Sequence, residues 1–580
     1  MTAFLNVENS LTGRRWVGPT LEADRLAEAM AQTTQLPLPL ARVLVARGVA
    51  PEEAAGFLEP TLRELLPDPH RLKDMETAAA RFLRAIKARE KIAVFADYDV
   101  DGGASAALLL TWLRQFGHSA TLYIPDRIDE GYGPNVPAMQ ELGRRHGLIV
   151  CVDCGTLSHE PVAAAKPADV VILDHHLGGE TLPPAVACVN PNRQDESGDL
   201  GHLCAASVVF LMLVEANRQL RAEGIKGPDL MALLDLVALA TVADVAPLVG
   251  VNRALVRQGL KVMARRERPG LVALSDVARI DRAPTAYHLG FLLGPRVNAG
   301  GRIGAADLGA RLLATDQSAE AEALAARLDG LNAERRDIEN RVRDAALAQA
   351  ETRGLDGPLV WAAGAGWHPG VVGIVAARLK EATNRPAVVI GLENGIGKGS
   401  ARSVAGVDLG AAVQRVAAEG LLLKGGGHRM AAGLTVEEDK LDLAMARLGE
   451  LLERQGAGHG GPTDLRLDGL LMPGAATNAL VEDLERAGPF GQGAPAPRFA
   501  FADMAISGAR RIGESHLRFS LGDGLGAKID AIAFGAFDGP LGPALSEGGA
   551  GRFHLAGKLE INSWGGRNKV QLRLDDAARA

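Results

Sequence analysis

Short apolar runs that stop at charged side chains mark the first half of the chain. Residues 91–96 (KIAVFA) run into Asp97, Asp99 and Asp101, residues 148–152 (LIVCV) into Asp153, and residues 170–173 (VVIL) into Asp174, His175 and His176. Runs this short and this rich in Val and Ile read as strands buried on both faces, the pattern of a parallel sheet. In such a sheet ligands collect at the carboxyl ends of the strands, so separate segments aim Asp and His at one crevice. Gly102 and Gly103 follow the first acidic cluster and let the backbone turn tightly. Residues 104–116 (ASAALLLTWLRQF) then read as a helix. Strand, acidic loop, glycine turn and helix together are the architecture of a site.

A single Asp after a strand is commonly a turn former or a helix N-cap, and that is the plain reading of Asp153 taken alone. The first cluster differs. Asp97, Asp99 and Asp101 alternate, so in extended chain they face one way. No Lys or Arg lies between Phe95 and Thr111 to offset them. Divalent cations are the counter-charge such a crevice calls for, which points to a metal-dependent enzyme. Residues 229–243 (DLMALLDLVALATVA) are apolar at helical spacing and end in Asp244. Either Asp244 is a further acidic ligand or it is a helix-end turn residue, and Asp235 within the run is a second exposed candidate; spacing does not choose.

The pattern also divides the chain. Residues 1–70 form a leader rich in Leu, Pro and Ala that reads as helical, and 71–315 an α/β metal-binding domain. Residues 316–354 are charged, periodic and free of Pro, which predicts one long helix acting as a solvated connector. Residues 355–455 hold a second α/β unit, and 459–462 (HGGP) a loose linker. From 460 to 580 short alternating runs such as 517–521 and 570–574 predict a small β-barrel.

Composition adds limits. A length of 580 residues allows about four domains. The net charge of −7 does not advertise a nucleic-acid binder, yet binding depends on where positive charge is placed rather than on its total. Basic stretches such as Arg265, Arg266 and Arg268, or Arg510 and Arg511, read as solvated surface. No apolar run reaches membrane-spanning length without a charge, and residues 1–10 lack the basic and apolar regions of a signal peptide. Four cysteines are too few for a disulfide framework. Cys151 and Cys154 make a CxxC without a second pair, across a buried strand, and read as buried thiols rather than a zinc or redox pair. The expectation is a cytoplasmic protein with no membrane role.

At the charged run ends the sequence resembles the DHH phosphoesterase superfamily. ADYDVDGG, CVDCG, LDHHL and ATVADVAPL match its four motifs in order. The resemblance extends through GPRVNAGGRIG (294–304), GWHPGVVGIVAARLKE (366–381), GKGSARS (397–403), GGGHRMAAG (425–433), GPFGQGAPAPRF (488–499) and LEINSWGGRNKVQLRL (559–574). Those later motifs are similar to the RecJ family of bacterial single-strand-specific 5′ exonucleases. Ala494 is a local departure, since that family usually has Asn there.

The resemblance implies two α/β domains, DHH and DHH-associated, joined by a long helix, with a C-terminal OB-fold barrel. It implies two divalent ions, Mn²⁺ or Mg²⁺, bridged by Asp153, with Asp97, Asp99, Asp101, His175 and Asp244 as the remaining ligands. Asp174 would orient a neighbouring imidazole, and His176 would contact phosphate or donate a proton. Arg127, Tyr132, Arg302, Ser400, Arg402, Gly426, Gly427 and His428 would grip the nucleic acid, the glycines as a phosphate-cradling loop. The implied activity is 5′ to 3′ hydrolysis of single-stranded DNA to 5′-mononucleotides in recombination and repair, beside a DNA helicase and a single-strand-binding protein. Two alternatives stand against it. A DHH hydrolase of short oligonucleotides, cyclic dinucleotides or pyrophosphate would not need the 464–574 barrel. A non-catalytic replication scaffold would not keep all four metal motifs.

Overall fold

The computed structural model describes residues 3–126, 130–458, 463–547, 551–564 and 567–580. Arg127 and the linker 459–462 lie outside the described residues.

The three apolar runs are strands, and two more complete their sheet: β1 (Ile92–Ala96), β2 (Ala120–Tyr123), β3 (Leu148–Val152), β4 (Asp169–Leu173) and β5 (Ala187–Val189). The order is β2-β1-β3-β4-β5 and every pairing is parallel. All residues of β1 and β3 are buried, as their lack of alternation required. The strand order reverses beside β1, so the ends of β1 and β3 flank the position where an open sheet of this kind forms its crevice. Helix α1 (Val100–Arg114) follows β1, α2 (Leu234–Ala243) carries the fourth acidic segment, and α3 (Gly294–Ile303) the NAGGR sequence.

Helix α4 (Ser318–Arg353) is the expected long helix, but it is not a solvated connector. Leu324, Leu328, Leu331, Val342, Ala346 and Ala350 form one buried stripe, at the spacing that keeps residues on a single helical face. Arg335 and Glu339 sit within that stripe, 2.6 Å apart and each about 9% exposed. Three polar members in the buried face, Asn332, Arg335 and Glu339, are why composition alone made the helix look fully solvated. After it come β6 (Val360–Ala365), helix α5 (Pro369–Thr383), β7 (Ala387–Glu393), β8 (Ile396–Arg402), β9 (Lys424–His428) and β10 (Ala431–Glu437). They make a mixed sheet in the order β9-β10-β8-β7-β6, with β6 and β7 parallel. The segment 425–428, expected as a loop, is thus an edge strand. Residues Pro67–Ala246 and Leu255–Gly460 form one compact unit.

The second unit comprises Met1–Leu66, Pro247–Ala254 and Gly461–Ala580. Its barrel strands are β11 (Phe499–Ile512), β12 (His516–Gly522), β13 (Lys528–Ala533), β14 (Arg552–Trp564) and β15 (Arg567–Arg579). The order is β11-β12-β13-β15-β14, and β14 pairs back onto β11, closing the ring. Closure removes the open edges a flat sheet would present. The leader is part of this unit rather than a separate domain. Met30, Leu40 and Leu44 share one core with Phe499, Phe519 and Phe553. Strand Arg15–Val17 pairs in parallel with Asp464–Arg466. The Trp16 indole donates to Asp576 at 2.9 Å, and Thr12 Oγ1 donates to the same carboxylate at 2.8 Å. The leader's apolar side chains thus complete their core only with those of the barrel. Ala494, the local departure, is buried, and its backbone exchanges hydrogen bonds with Gly491 at 2.9 and 3.1 Å.

Candidate active site

Asp97 follows β1 directly. Asp99 caps α1, its Oδ1 accepting from the amides of Asp101 at 2.8 Å and Gly102 at 3.1 Å, the usual satisfaction of free helix-end donors. The helix starts at Val100 rather than at 104, so Asp101 lies in its first turn and the extended alternation ends at Asp99. The three carboxylates therefore do not face one way. Asp97 and Asp99 gather with Asp153, whereas Asp101 gathers with His175 and Asp244, the ligand atoms of each set lying within 4.8 Å of one another. Asp153, His175 and His176 form a third set. Gly102 does not make a turn. A methyl group there would sit 2.4 Å from the Asp97 carbonyl oxygen, so glycine lets the helix close onto the strand end.

Asp153 carries the strongest local signal. Its φ is +60°, a left-handed conformation that few non-glycine residues adopt and that concentrates at functional sites. Its amide donates to Leu173 O at 3.0 Å, and its carbonyl accepts from the Tyr132 hydroxyl at 3.2 Å. The carboxylate is buried, and Oδ1 has no hydrogen-bond donor among the described residues. It faces His175 Nε2 at 3.3 Å; the same nitrogen is 3.7 Å from Asp101 and 3.8 Å from Asp244. Asp101 is braced from behind, its two oxygens accepting the amides of Ala205 at 2.7 Å and Ala206 at 2.8 Å.

Burial and the charges of Asp99, Asp101 and Asp97 push the Asp153 carboxyl well above its usual range. Burial followed by Asp101 and Asp99 raises Asp244 to about 8. A cluster that resists ionisation on its own is one that cations would ionise. Oxygen donors with an imidazole suit a hard ion such as Mn²⁺ or Mg²⁺. The residues present therefore fit two divalent cations. Of the two carboxylates left open by helical spacing, Asp244 joins the cluster. Asp235 is buried elsewhere in a pair with Arg268 at 2.8 Å.

Asp174 serves the histidines. It accepts from Thr156 Oγ1 at 2.6 Å, from the amides of Thr156, His175 and His176, and from His176 Nδ1 at 2.8 Å. Burial opposes ionisation, but these donors hold its carboxyl well below the usual range. The His176 imidazole, against its own burial, is raised to about 9 by Asp174. Its Nε2 lies 3.1 Å from the Tyr132 hydroxyl. Three residues here have no counterpart in the sequence reading. Asn190 donates to Thr156 Oγ1 and to His176 O, and Asn192 donates to His175 O at 2.6 Å. Thr156 links the two groups. The cue was the NPN that ends the short run of β5.

Helix α3 connects this cluster to the second sheet. Asn298 accepts the Val100 amide at 2.9 Å, Gly301 packs on Tyr98, and Arg302 donates to Gly370 O at 3.1 Å in the first turn of α5. Ser400 and Arg402 lie on β8, and Arg402 Nη1 donates to Ser400 Oγ at 2.9 Å. A methyl group at Gly373 of α5 would lie 3.1 Å from both side chains. In register across the sheet, Ser400 opposes Gly433, which opposes Gly426; Arg402 opposes Ala431, which opposes His428. Directly paired residues share a face, so Ser400, Arg402, Gly426 and His428 line one groove. Its floor is bare, because a Cβ at Gly426 or Gly433 would meet nothing within 4 Å. Gly427 belongs to the other face. A methyl there would lie 2.4 Å from Ala431 O, so this glycine serves packing.

Comparison with known proteins identifies the domains that carry most of these residues. The DHH family, N-terminal domain, matches residues 91–241, the DHHA1 domain 356–454 and the RecJ OB domain 467–576. The single-stranded-DNA-specific exonuclease RecJ of Escherichia coli (strain K12) is 37% identical over 96% of this chain and 98% of its own length. The protein of that name from Dickeya dadantii is 39% identical over 93% of this chain and 96% of its own. A crystal structure of RecJ in complex with Mn²⁺ from Thermus thermophilus superposes with a TM-score of 0.79 at 30% identity, covering 97% of this chain and 79% of the other. Its Mg²⁺ complex gives a TM-score of 0.74 at 29% identity, over 97% and 78% of the two chains. With its domains, their order and nearly its full length shared with these relatives, the chain belongs to the RecJ family.

Proposed function

We propose that this chain is a metal-dependent exonuclease that hydrolyses single-stranded DNA from the 5′ end and releases 5′-mononucleotides. The observation that carries the reading is the buried Asp153 oxygen without a donor, set between two groups of carboxylates and His175. Asp97, Asp99 and Asp153 would hold one divalent ion and Asp101, His175 and Asp244 the other, with Asp153 shared. When bound, the two ions would supply an activated water, neutralise charge at phosphorus and stabilise the leaving oxygen.

The chain's own residues do the rest. Asp174 fixes the His176 ring and favours its protonated form, which suits it to give a proton to the departing 3′ oxygen. Tyr132 spans Asp153 and His176 and keeps that ring aimed at the cluster. Ser400 and Arg402, over the bare floor at Gly426 and beside His428, would hold the terminal 5′-phosphate; Arg is suited to a bidentate grip on it. Hydrolysis on the 3′ side of the first nucleotide leaves a new 5′-phosphate, so each product strand presents the same end again. Arg302 supports the groove through Gly370. Such an enzyme fits DNA recombination and repair in the cytoplasm, where a helicase would free the strand and a single-strand-binding protein would keep it open.

The test compares linear and circular single strands of one sequence with Mn²⁺. The linear strand should fall to mononucleotides and the circle should persist. Equal degradation of both, or activity unchanged in excess EDTA, would refute the reading.

A further inference from the structure

Beside Asp244 the chain departs from ordinary helix. Residues His288–Leu293 form a π-helical turn immediately before α3, a conformation that recurs at functional sites. Its inner face is fixed: Leu289 and Leu293 are fully buried, Gly290 packs on Val242, and Gly294 packs on Ala243, the residue before Asp244. Its outer face carries Tyr287 and Phe291. Their rings stack with centroids 5.0 Å apart and planes at 25°, yet they remain 50% and 70% exposed. Among the described residues only four aromatic side chains, Tyr132, Tyr287, Phe291 and Phe534, are this exposed. Two of the four stack on each other here.

Helix α3 sets the direction. One end abuts Ala243 and the π turn, and the other reaches Gly370 beside the Ser400 and Arg402 groove. From Gly294 to Arg302 the helix spans about 12 Å at its ordinary rise. The aromatic pair and the proposed terminal-phosphate groove therefore lie at opposite ends of a rigid spacer, with the acidic cluster along it.

We propose that Tyr287 and Phe291 form a stacking platform for one base of the single-stranded substrate, on the 3′ side of the cleaved bond. Every base offers a π face, so such a platform is indifferent to sequence. An exposed aromatic pair at this place is what a strand threaded past Asp244 requires. The proposal rests on the reading of this site as a single-strand exonuclease and adds residues that position the substrate without touching the reacting atoms.

The experiment walks a single abasic residue along a 5′-phosphorylated 20-mer and measures KM and kcat with Mn²⁺. For the wild type, KM should rise severalfold when the abasic residue occupies one or two neighbouring positions 3′ of the cleaved bond. The Tyr287→Ala/Phe291→Ala protein should show KM about tenfold higher on the intact strand, kcat little changed, and no remaining dependence on the abasic position. Phe291→Trp should restore wild-type KM. A double variant with wild-type KM, or one as sensitive to the abasic walk as the wild type, would overturn the platform. If the double variant fails to fold, Phe291→Ala and the wild-type walk decide, and a flat wild-type profile overturns the proposal. A wild type that digests no single strand would refute the exonuclease reading itself, a result distinguishable from failure of the platform.

Discussion

Asp153 combines a backbone held at φ +60° with a carboxylate buried among like charges. Both features cost free energy in the folded chain, and bound cations would offset the second. Asp153→Ala should therefore abolish hydrolysis while the metal-free protein unfolds near the wild-type urea concentration, relief of the buried like charge offsetting the cost of alanine at positive φ. Turnover near the wild-type rate at saturating Mn²⁺ would remove Asp153 from the shared position. In the groove, Arg402→Ala should weaken binding of 5′-phosphorylated strands by roughly 1.5–3 kcal/mol, the range for a hydrogen bond to a charged group, and of 5′-hydroxyl strands by less; equilibrium titration of both strands checks this. Chemistry at this scale was largely readable beforehand. Strand ends followed by Asp and His put carboxylates and imidazoles in one crevice, a donor set that suits divalent cations. What was not readable was how the carboxylates divide. That depends on α1 beginning at Val100, which turns Asp101 away from Asp97 and Asp99. For Asn190 and Asn192 the NPN was a cue to a turn, but it does not name their partners, His176 O and Thr156 Oγ1 for the first and His175 O for the second.

At the scale of elements, one glycine and one ion pair bear weight that their local sequence conceals. Helix propensity alone would favour Gly102→Ala. Here the added methyl would meet the Asp97 backbone at 2.4 Å, and neither strand nor helix end can yield without moving the acidic cluster. The substitution should lower kcat at least tenfold with little change in far-ultraviolet circular dichroism. An unaffected kcat would show that the strand end has room. In α4, Glu339→Ala would leave the buried Arg335 guanidinium without its 2.6 Å partner. A loss of about 3 kcal/mol is expected from removing one member of a buried pair, whereas replacing both by apolar side chains should be close to neutral; urea unfolding of the single and double variants measures the difference. The long helix was legible from its periodicity, and the parallel strands from short unbroken apolar runs that end at charges. The edge strand β9 was not. Three consecutive glycines carry no apolar alternation, and only the pairing with β10 makes the segment a strand.

Across the whole molecule, the leader is the part that sequence misassigned as independent. Its apolar residues pack on one another, but the core they join is completed by Phe499, Phe519 and Phe553, more than 400 residues later. A chain ending at residue 458 should therefore expose Met30, Leu40 and Leu44 and aggregate, and removing residues 1–66 as well should reduce that aggregation. Light scattering of the two truncated proteins tests the point, and a soluble, monodisperse chain 1–458 would contradict it. The duplex should be a poor substrate, because a base held in a stack and a 5′ end held in a groove both require an unpaired strand. Equal rates on a blunt duplex and on the same strand alone would count against that.

Direction is where the whole account is most exposed. A 5′-phosphorylated single strand carrying a label at its 3′ end should, with Mn²⁺, retain the label on a ladder that shortens from the other end. A label at the 5′ end should appear at once as mononucleotide. Early release of the 3′ label as mononucleotide would show that the phosphate groove and the acidic cluster are ordered the other way along the strand, and would contradict the account.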